Sequence, residues 1–143
     1  MNTDAIIYPI GTFKPISSFN PSQVHQWIQD IASLPKALES LCDSVSSELL
    51  SRPLRPGAWT LRQLIHHIAD SHHHSYTRFK WALTEEKPLI KAYDEVAWSV
   101  LADVDAPIEL SIAHLSAVHG KWVYLLNKMN ESDFSKQFQH PES

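Results

Sequence analysis

The strongest structural signal in this 143-residue chain lies between Thr60 and about Glu85. Thr60 and Gln63 have the spacing of a capping box, in which each side chain accepts a hydrogen bond from the other residue's backbone N–H at a helix start. Trp59 and Leu64 can form the accompanying hydrophobic staple. Apolar residues then recur along one helical face, and they are Leu61, Leu64, Ile65, Ile68, Tyr76, Phe79 and Leu83. The pattern predicts one long amphipathic helix, which must bury this face against other elements.

Two more stretches predict long helices that can cover that face. Asn20 and Pro21 suit the N-cap and first position of a helix whose apolar residues follow at helical spacing. We expect Pro35 to break or kink this helix, because its ring clashes with the preceding turn, and a second piece to run from Lys36 to about Glu48. Asp105-Ala106-Pro107 starts the other long helix, to about Met129. Its apolar face comprises Ile108, Ile112, Leu115, Trp122 and Leu126.

Short helices are expected between and after these segments, from Asp94 to about Leu101 and, capped by Asn130, through Phe134. The length is that of one domain, and residues 1–143 contain no internal repeat or interdomain linker. The predicted fold class is therefore all-α, a bundle of three or four long helices.

Composition excludes several classes of function. A net charge of −4 without clustered Lys and Arg argues against nucleic-acid binding. Three scattered glycines exclude the glycine loops of Rossmann and P-loop proteins. The single Cys42 cannot form an internal disulfide. Since residues 1–11 do not resemble a signal peptide, and no apolar run reaches the ~20 residues of a membrane span, we expect a soluble cytoplasmic protein.

Five of the nine histidines lie on the capped helix, where imidazoles could bind a metal or transfer protons. No two of them are four residues apart, so this helix alone is not expected to hold a complete metal site. His72 and His119 lie centrally on apolar faces and are expected to be core residues. His66 and His73 are expected to face solvent. His67 lies at the flank of the apolar stripe, and the residues alone indicate a helical groove near it that could bind a metal.

Many short motifs in this chain resemble the YfiT-type proteins of the DinB-like superfamily of metal-dependent hydrolases. The central ones are Gly57-Ala58-Trp59-Thr60-Leu61-Arg62-Gln63 and His66-His67-Ile68-Ala69-Asp70-Ser71-His72. The others are Tyr8-Pro9-Ile10-Gly11, Tyr76-Thr77-Arg78-Phe79-Lys80, Leu83-Thr84-Glu85-Glu86, Tyr93-Asp94-Glu95, His119-Gly120-Lys121-Trp122 and His140-Pro141-Glu142-Ser143. They run in order from residue 8 to the last residue. Ala58 departs from the family, which commonly has a second glycine there.

The resemblance implies a four-helix bundle that binds one divalent metal, zinc or nickel, through three histidines. His67 matches the first ligand, and Asp70 is its possible partner only by helical proximity. The family's other two ligands form a His-x-x-x-His pair on its last long helix, a segment that does not occur in this sequence. The resemblance therefore implies a DinB-like domain that lacks its last helix, so that this chain alone is not expected to bind the metal fully.

The function implied by the resemblance is thiol S-transfer with a bacillithiol-like cofactor, or hydrolysis, on a small-molecule substrate. The alternative is a non-catalytic helical protein, an inactive truncated homologue that self-associates. A third reading completes the metal site in trans, with His72, His74 or His140. A homodimer fits both the family and an exposed groove, and no nucleic-acid or membrane partner is expected.

Overall fold

Three long helices form the body of the molecule in a computed structural model that describes residues 10–12, 14 and 18–141. They are α1 (Pro21–Cys42), α3 (Leu61–Thr84) and α5 (Ile108–Leu126). Short helices α2 (Ser47–Leu50), α4 (Glu95–Trp98) and α6 (Glu131–Phe134), with a 3₁₀ turn at Ala102–Asp105, lie in the connections and after α5. The described residues contain isolated bridges but no strand, so the all-α prediction is confirmed. Tyr8-Pro9 and Glu142-Ser143 of the motifs lie outside the described residues.

Helix α5 lies between the other two long helices and packs against both. Its apolar side chains form the core as predicted, because Ile108, Leu115, Trp122 and Leu126 are all buried. Trp122 and Leu126 pack with Ile28 of α1 and with Tyr76 and Phe79 of α3. A second cluster at the other end of α3 joins Leu50, Ile65 and Ile108.

The helix starts follow their predicted caps. The Gln63 N–H donates to Thr60 Oγ1 at 3.2 Å, and the Thr60 N–H donates to Gln63 Oε1 at 2.9 Å, which closes the capping box. Asn20 accepts from the Gln23 N–H at the start of α1. Asn130 caps α6 in the predicted place.

The expectation that Pro35 breaks the helix, so that a second piece begins at Lys36, is wrong, because one helix runs from Pro21 to Cys42 with Pro35 inside it. A proline has no N–H to donate to the carbonyl four residues earlier, here that of Ile31. His119 of α5 takes that role, because its Nδ1 lies 2.5 Å from the Ile31 carbonyl oxygen. A buried side chain from another helix therefore offsets the missing backbone hydrogen bond.

The segment after α6 returns to the end of α3. Lys136 Nζ donates to the Leu83 carbonyl at 2.8 Å. The Gln139 N–H donates to Pro88, and the Ile90 N–H donates to Gln139, which pairs the two segments. This pairing brings His140 to the side of α3. Over the described part of the chain, every helix is too short or too polar to cross a membrane.

Candidate functional site

His67 lies on the second turn of α3, half-buried, with its ring against Trp59. The two ring centroids are 4.8 Å apart, and the indole meets the imidazole edge-on. Trp59 directly precedes the Thr60 cap, so the capped helix start also fixes this contact. Two polar grooves meet at His67, one on each side.

The first groove, which we call the α3–α5 groove, lies between helix α3, helix α5 and residues 95–106. Its polar side chains include His66, Asp70, Glu95, Asp103 and His114. His66 Nδ1 lies 2.7 Å from Ser111 Oγ, whereas its Nε2 is buried without a hydrogen-bond partner within the described residues. The expectation that His66 faces solvent is therefore wrong. Because α5 packs along α3, its Ser111 reaches this ring from the neighbouring helix.

Asp70 is the carboxylate that shares this groove with the histidines. Burial raises its pKa above the ordinary value, and the negative charge of Asp103 raises it further. His114, His66 and His74 oppose this shift. Asp70 therefore holds a proton more readily than an exposed aspartate.

The second groove, which we call the Arg78 groove, runs along α3 on the other side of His67. Its α3 wall carries His67, Ser71, Ser75 and Arg78. Residues 92–95 and His140 form the facing wall. Tyr93 is held there by stacking on His74, with 4.3 Å between ring centroids. Arg78 was not among the predicted site residues, although it lies eleven residues after His67 on the same side of a helix, where a ligand could span both.

A chain of hydrogen bonds joins the half-buried His72 of α3, the buried His119 of α5 and the Ile31 carbonyl of α1. Because a carbonyl only accepts, His119 donates from Nδ1 to Ile31 and must accept at Nε2 from His72 Nδ1, 2.7 Å away. Burial lowers the pKa of both rings, and their mutual repulsion lowers that of His72 further. The prediction of a core histidine with a hydrogen-bond partner is confirmed for His119, whereas His72 has the predicted partner but is only half-buried.

His73 and His74 lie on the outer side of α3. His73 is exposed as predicted, yet its Nδ1 lies 2.8 Å from His114 Nε2 on α5. His74 stacks on Tyr93 and also contacts Trp98, whose ring is tilted by 58° to the imidazole. Burial lowers the pKa of His74, as do the nearby charges of Arg78 and His73.

The described residues do not fit a complete metal site. Within residues 18–141 and the described positions before them, no three His, Cys, Asp or Glu side chains are placed to hold one ion. A catalytic zinc site usually needs three protein ligands. Of the residues considered for completion in trans, His72 is engaged with His119 and His74 is stacked, whereas His140 lies at the groove that contains His67. The role of His67 as a ligand stays a prediction.

Comparison with known proteins places this arrangement among relatives. The family model described as DinB superfamily matches residues 23–143. "Putative metal-dependent hydrolase YfiT" of Bacillus subtilis is 42% identical over 144 residues, which covers 100% of this chain and 81% of that protein. A "Putative metal-dependent hydrolase" of Bacillus pumilus is 43% identical over 134 residues, covering 94% and 77% of the two chains.

A solved structure gives the corresponding fold comparison. Bacillus subtilis YfiT, described as a probable metal-dependent hydrolase with an unusual four-helix bundle topology, superposes with a TM-score of 0.94 at 42% identity. The match covers 96% of this chain and 79% of that one. The predicted family and fold class are therefore confirmed.

Proposed function

This chain belongs to the DinB superfamily, and on that premise we propose that it is a metal-dependent enzyme of the kind its relatives are named for, with His67 as one ligand of zinc or nickel. The observation that carries the proposal is the position of His67. It is a half-buried imidazole, oriented by an aromatic wall, at the place where two polar grooves meet. Sites for small molecules are concave and combine apolar walls with a few converging polar groups.

The reaction class we propose is thiol S-transfer or hydrolysis on a small molecule, with bacillithiol as a candidate thiol. In S-transfer the thiol sulfur forms a bond to an electrophilic carbon, the leaving group departs with its electron pair, and the thiol proton passes to solvent. In hydrolysis water takes the place of the thiol. Because the described residues do not hold a metal by themselves, we assign no step to the ion.

Metal analysis tests the role of His67. Because the described residues lack three ligands for one ion, bound metal requires that a second copy of the chain complete the site. We expect the purified protein then to retain about one zinc or nickel per His67, and His67→Ala to lose it because one of the ligands is removed. His25→Ala is the matched control, because His25 is an exposed histidine on α1 far from both grooves in sequence. Metal that is absent from the wild-type chain, or unchanged in His67→Ala, would refute the proposal.

A second measurement separates the two reactions. S-transfer predicts consumption of bacillithiol with 1-chloro-2,4-dinitrobenzene and release of chloride, whereas hydrolysis predicts cleavage of an ester without any thiol. Either activity should disappear in His67→Ala and persist in His25→Ala.

The second candidate function is a non-catalytic protein that self-associates. Two observations favour it: the lack of a three-ligand group within the described residues, and several exposed apolar side chains, three of them within residues 96–101 and one on α5. These are Val96, Val100, Leu101 and Leu110, exposed by 61, 69, 52 and 63%. Large exposed apolar patches are typical of association surfaces. A homodimer whose mass by light scattering falls to that of a monomer in Leu110→Glu, together with absence of metal, would support this candidate.

A further inference from the structure

We propose that Arg78 binds a carboxylate group of the small molecule whose reacting group lies at His67. The inference rests on the proposed function in one respect, namely that His67 marks the reacting end. The Arg78 groove has a volume of about 630 Å³, within the range of small-molecule sites. Arg78 lies at the end of its α3 wall farthest from His67.

The hydrogen-bonding capacity of Arg78 is largely unused. Its Nε is buried and has no hydrogen-bond partner in the described part of the chain. Its Nη2 lies 3.4 Å from the Lys91 carbonyl, a long contact at the edge of hydrogen-bonding range. Arg78 also has no carboxylate within 4 Å among residues 18–141, where the ion pair that forms joins Lys36 to Glu39. A guanidinium is always charged and offers a planar fork of donors, which matches the two oxygens of a carboxylate.

The middle of the groove has the opposite hydrogen-bonding character. Ser71 donates its hydroxyl hydrogen to the Ile68 carbonyl, and Ser75 donates to the Ser71 carbonyl. With their hydrogens engaged, both serine oxygens remain only as acceptors towards the groove. They suit the hydroxyl, amine or amide N–H groups of a ligand and do not attract an anion.

The charge at the His67 end also selects where an anion can bind. Glu95 borders both grooves, and so does His67, which places this carboxylate at the end where the grooves meet. Asp94 also lines the Arg78 groove, where its Oδ1 accepts from the Ala97 N–H and caps α4 without pairing with Arg78. A second negative charge is disfavoured there, whereas Arg78 favours it at the other end. The α-carbons of His67 and Arg78 are about 16 Å apart along the helix axis, and long helical side chains lean towards the N-terminus, which shortens the span. The ligand class is therefore an elongated small molecule with donors in its middle and a carboxylate at one end.

Glutathione and its diethyl ester form a suitable pair of probes, because they share the thiol and the peptide donors and differ in their carboxylates. Affinities of the wild-type chain and of every variant are measured by calorimetric titration in a chelator, so that no metal or turnover is needed. In the wild-type chain the NMR signal of the Arg78 Nε–H group shows in addition where the probe binds. We expect glutathione to shift this signal and the diester to bind at least about tenfold more weakly. Arg78→Gln should lose the same factor, and Arg78→Lys, which keeps the charge without the fork, should lose part of it.

Lys80→Gln is the matched control, because it removes a positive charge only two residues from Arg78. The Lys80 side chain does not line the groove, and its Nζ lies over the Tyr76 ring instead. It should bind both probes as the wild-type chain does. The proposal is overturned by absence of glutathione binding at millimolar concentration, by equal affinity for the two probes, or by unchanged binding in Arg78→Gln. It is also overturned if inorganic phosphate displaces glutathione at a lower concentration, since the site would then select phosphate. Metal content of the same preparations, measured before the chelator is added, reports on the proposed function separately.

Discussion

Replacing His119 with leucine is expected to destabilise the protein mainly by exposing the defect that Pro35 leaves in α1. His119 is 1% exposed and donates to the Ile31 carbonyl, which lacks the N–H that residue 35 would supply in an ordinary helix. Leucine has a similar size but no donor. A buried polar group left without a partner costs about 1–3 kcal/mol, and His72 loses its acceptor as well. We expect a total loss of about 2–4 kcal/mol.

The explanation predicts a specific coupling between the two positions. In Pro35→Ala the new N–H of residue 35 can donate to Ile31, as in any α-helix. The double variant should therefore be about 1–2 kcal/mol more stable than the sum of the two single changes predicts. Urea unfolding at pH 8, followed by circular dichroism, measures all four proteins with both histidines neutral.

A second double-mutant cycle, between Leu126→Ala and Pro35→Ala, is the control for this measurement. Leu126→Ala removes a buried side chain from the core cluster against which Ile31 packs, but it leaves the hydrogen bond to the Ile31 carbonyl intact. Its effect on stability should therefore add to that of Pro35→Ala. Additivity between His119→Leu and Pro35→Ala to within about 0.5 kcal/mol would refute the account of how α1 tolerates its proline.

Three further predictions concern stability. Burial lowers the pKa of His72 and His119, so that below about pH 6.5 the unfolded chain binds more protons than the folded one. The stability that these neutral rings contribute is fully present above this pH and should be lost as pH falls towards their folded pKa values. The urea midpoint should therefore fall less with pH in His119→Leu than in the wild-type chain. Leu115→Ala, at a fully buried position, should cost about 3–5 kcal/mol by urea unfolding, whereas Leu110→Ala at a 63% exposed one should cost under about 0.5; equal costs would contradict the packing. Thr60→Ala should cost about 1 kcal/mol in thermal unfolding and Thr60→Ser much less, and an unchanged midpoint would argue against the capping box.

The local signals in the sequence predicted the helices well, because each helix start depends on residues next to one another. Thr60 with Gln63, Asn20 with Pro21 and Asn130 all cap the helices they were expected to cap. The buried face of α5 also follows from its own spacing. The continuity of α1 could not be predicted in this way, since the donor that compensates for Pro35 comes from a residue 84 positions later in the chain.

The candidate site was predicted less completely, for the same physical reason. A helical projection gives the angle of each side chain about its own axis but not where the neighbouring helix lies. His66 was therefore expected in solvent, although Ser111 of α5 reaches it. Arg78 gave no signal by itself, because an arginine on a polar helix face is usually solvated; its significance depends on the facing wall around Tyr93.

The pairing of Gln139 with Pro88 and Ile90 also means that the core and the Arg78 groove depend on different parts of the chain. The buried side chains Ile28, Trp122 and Leu126 all belong to the three long helices, which end at Leu126. The contacts of Lys136 and Gln139, by contrast, hold His140 at the groove that contains Arg78. Fraying or cleavage of the segment after α6 therefore removes one wall of the groove and leaves these buried contacts in place.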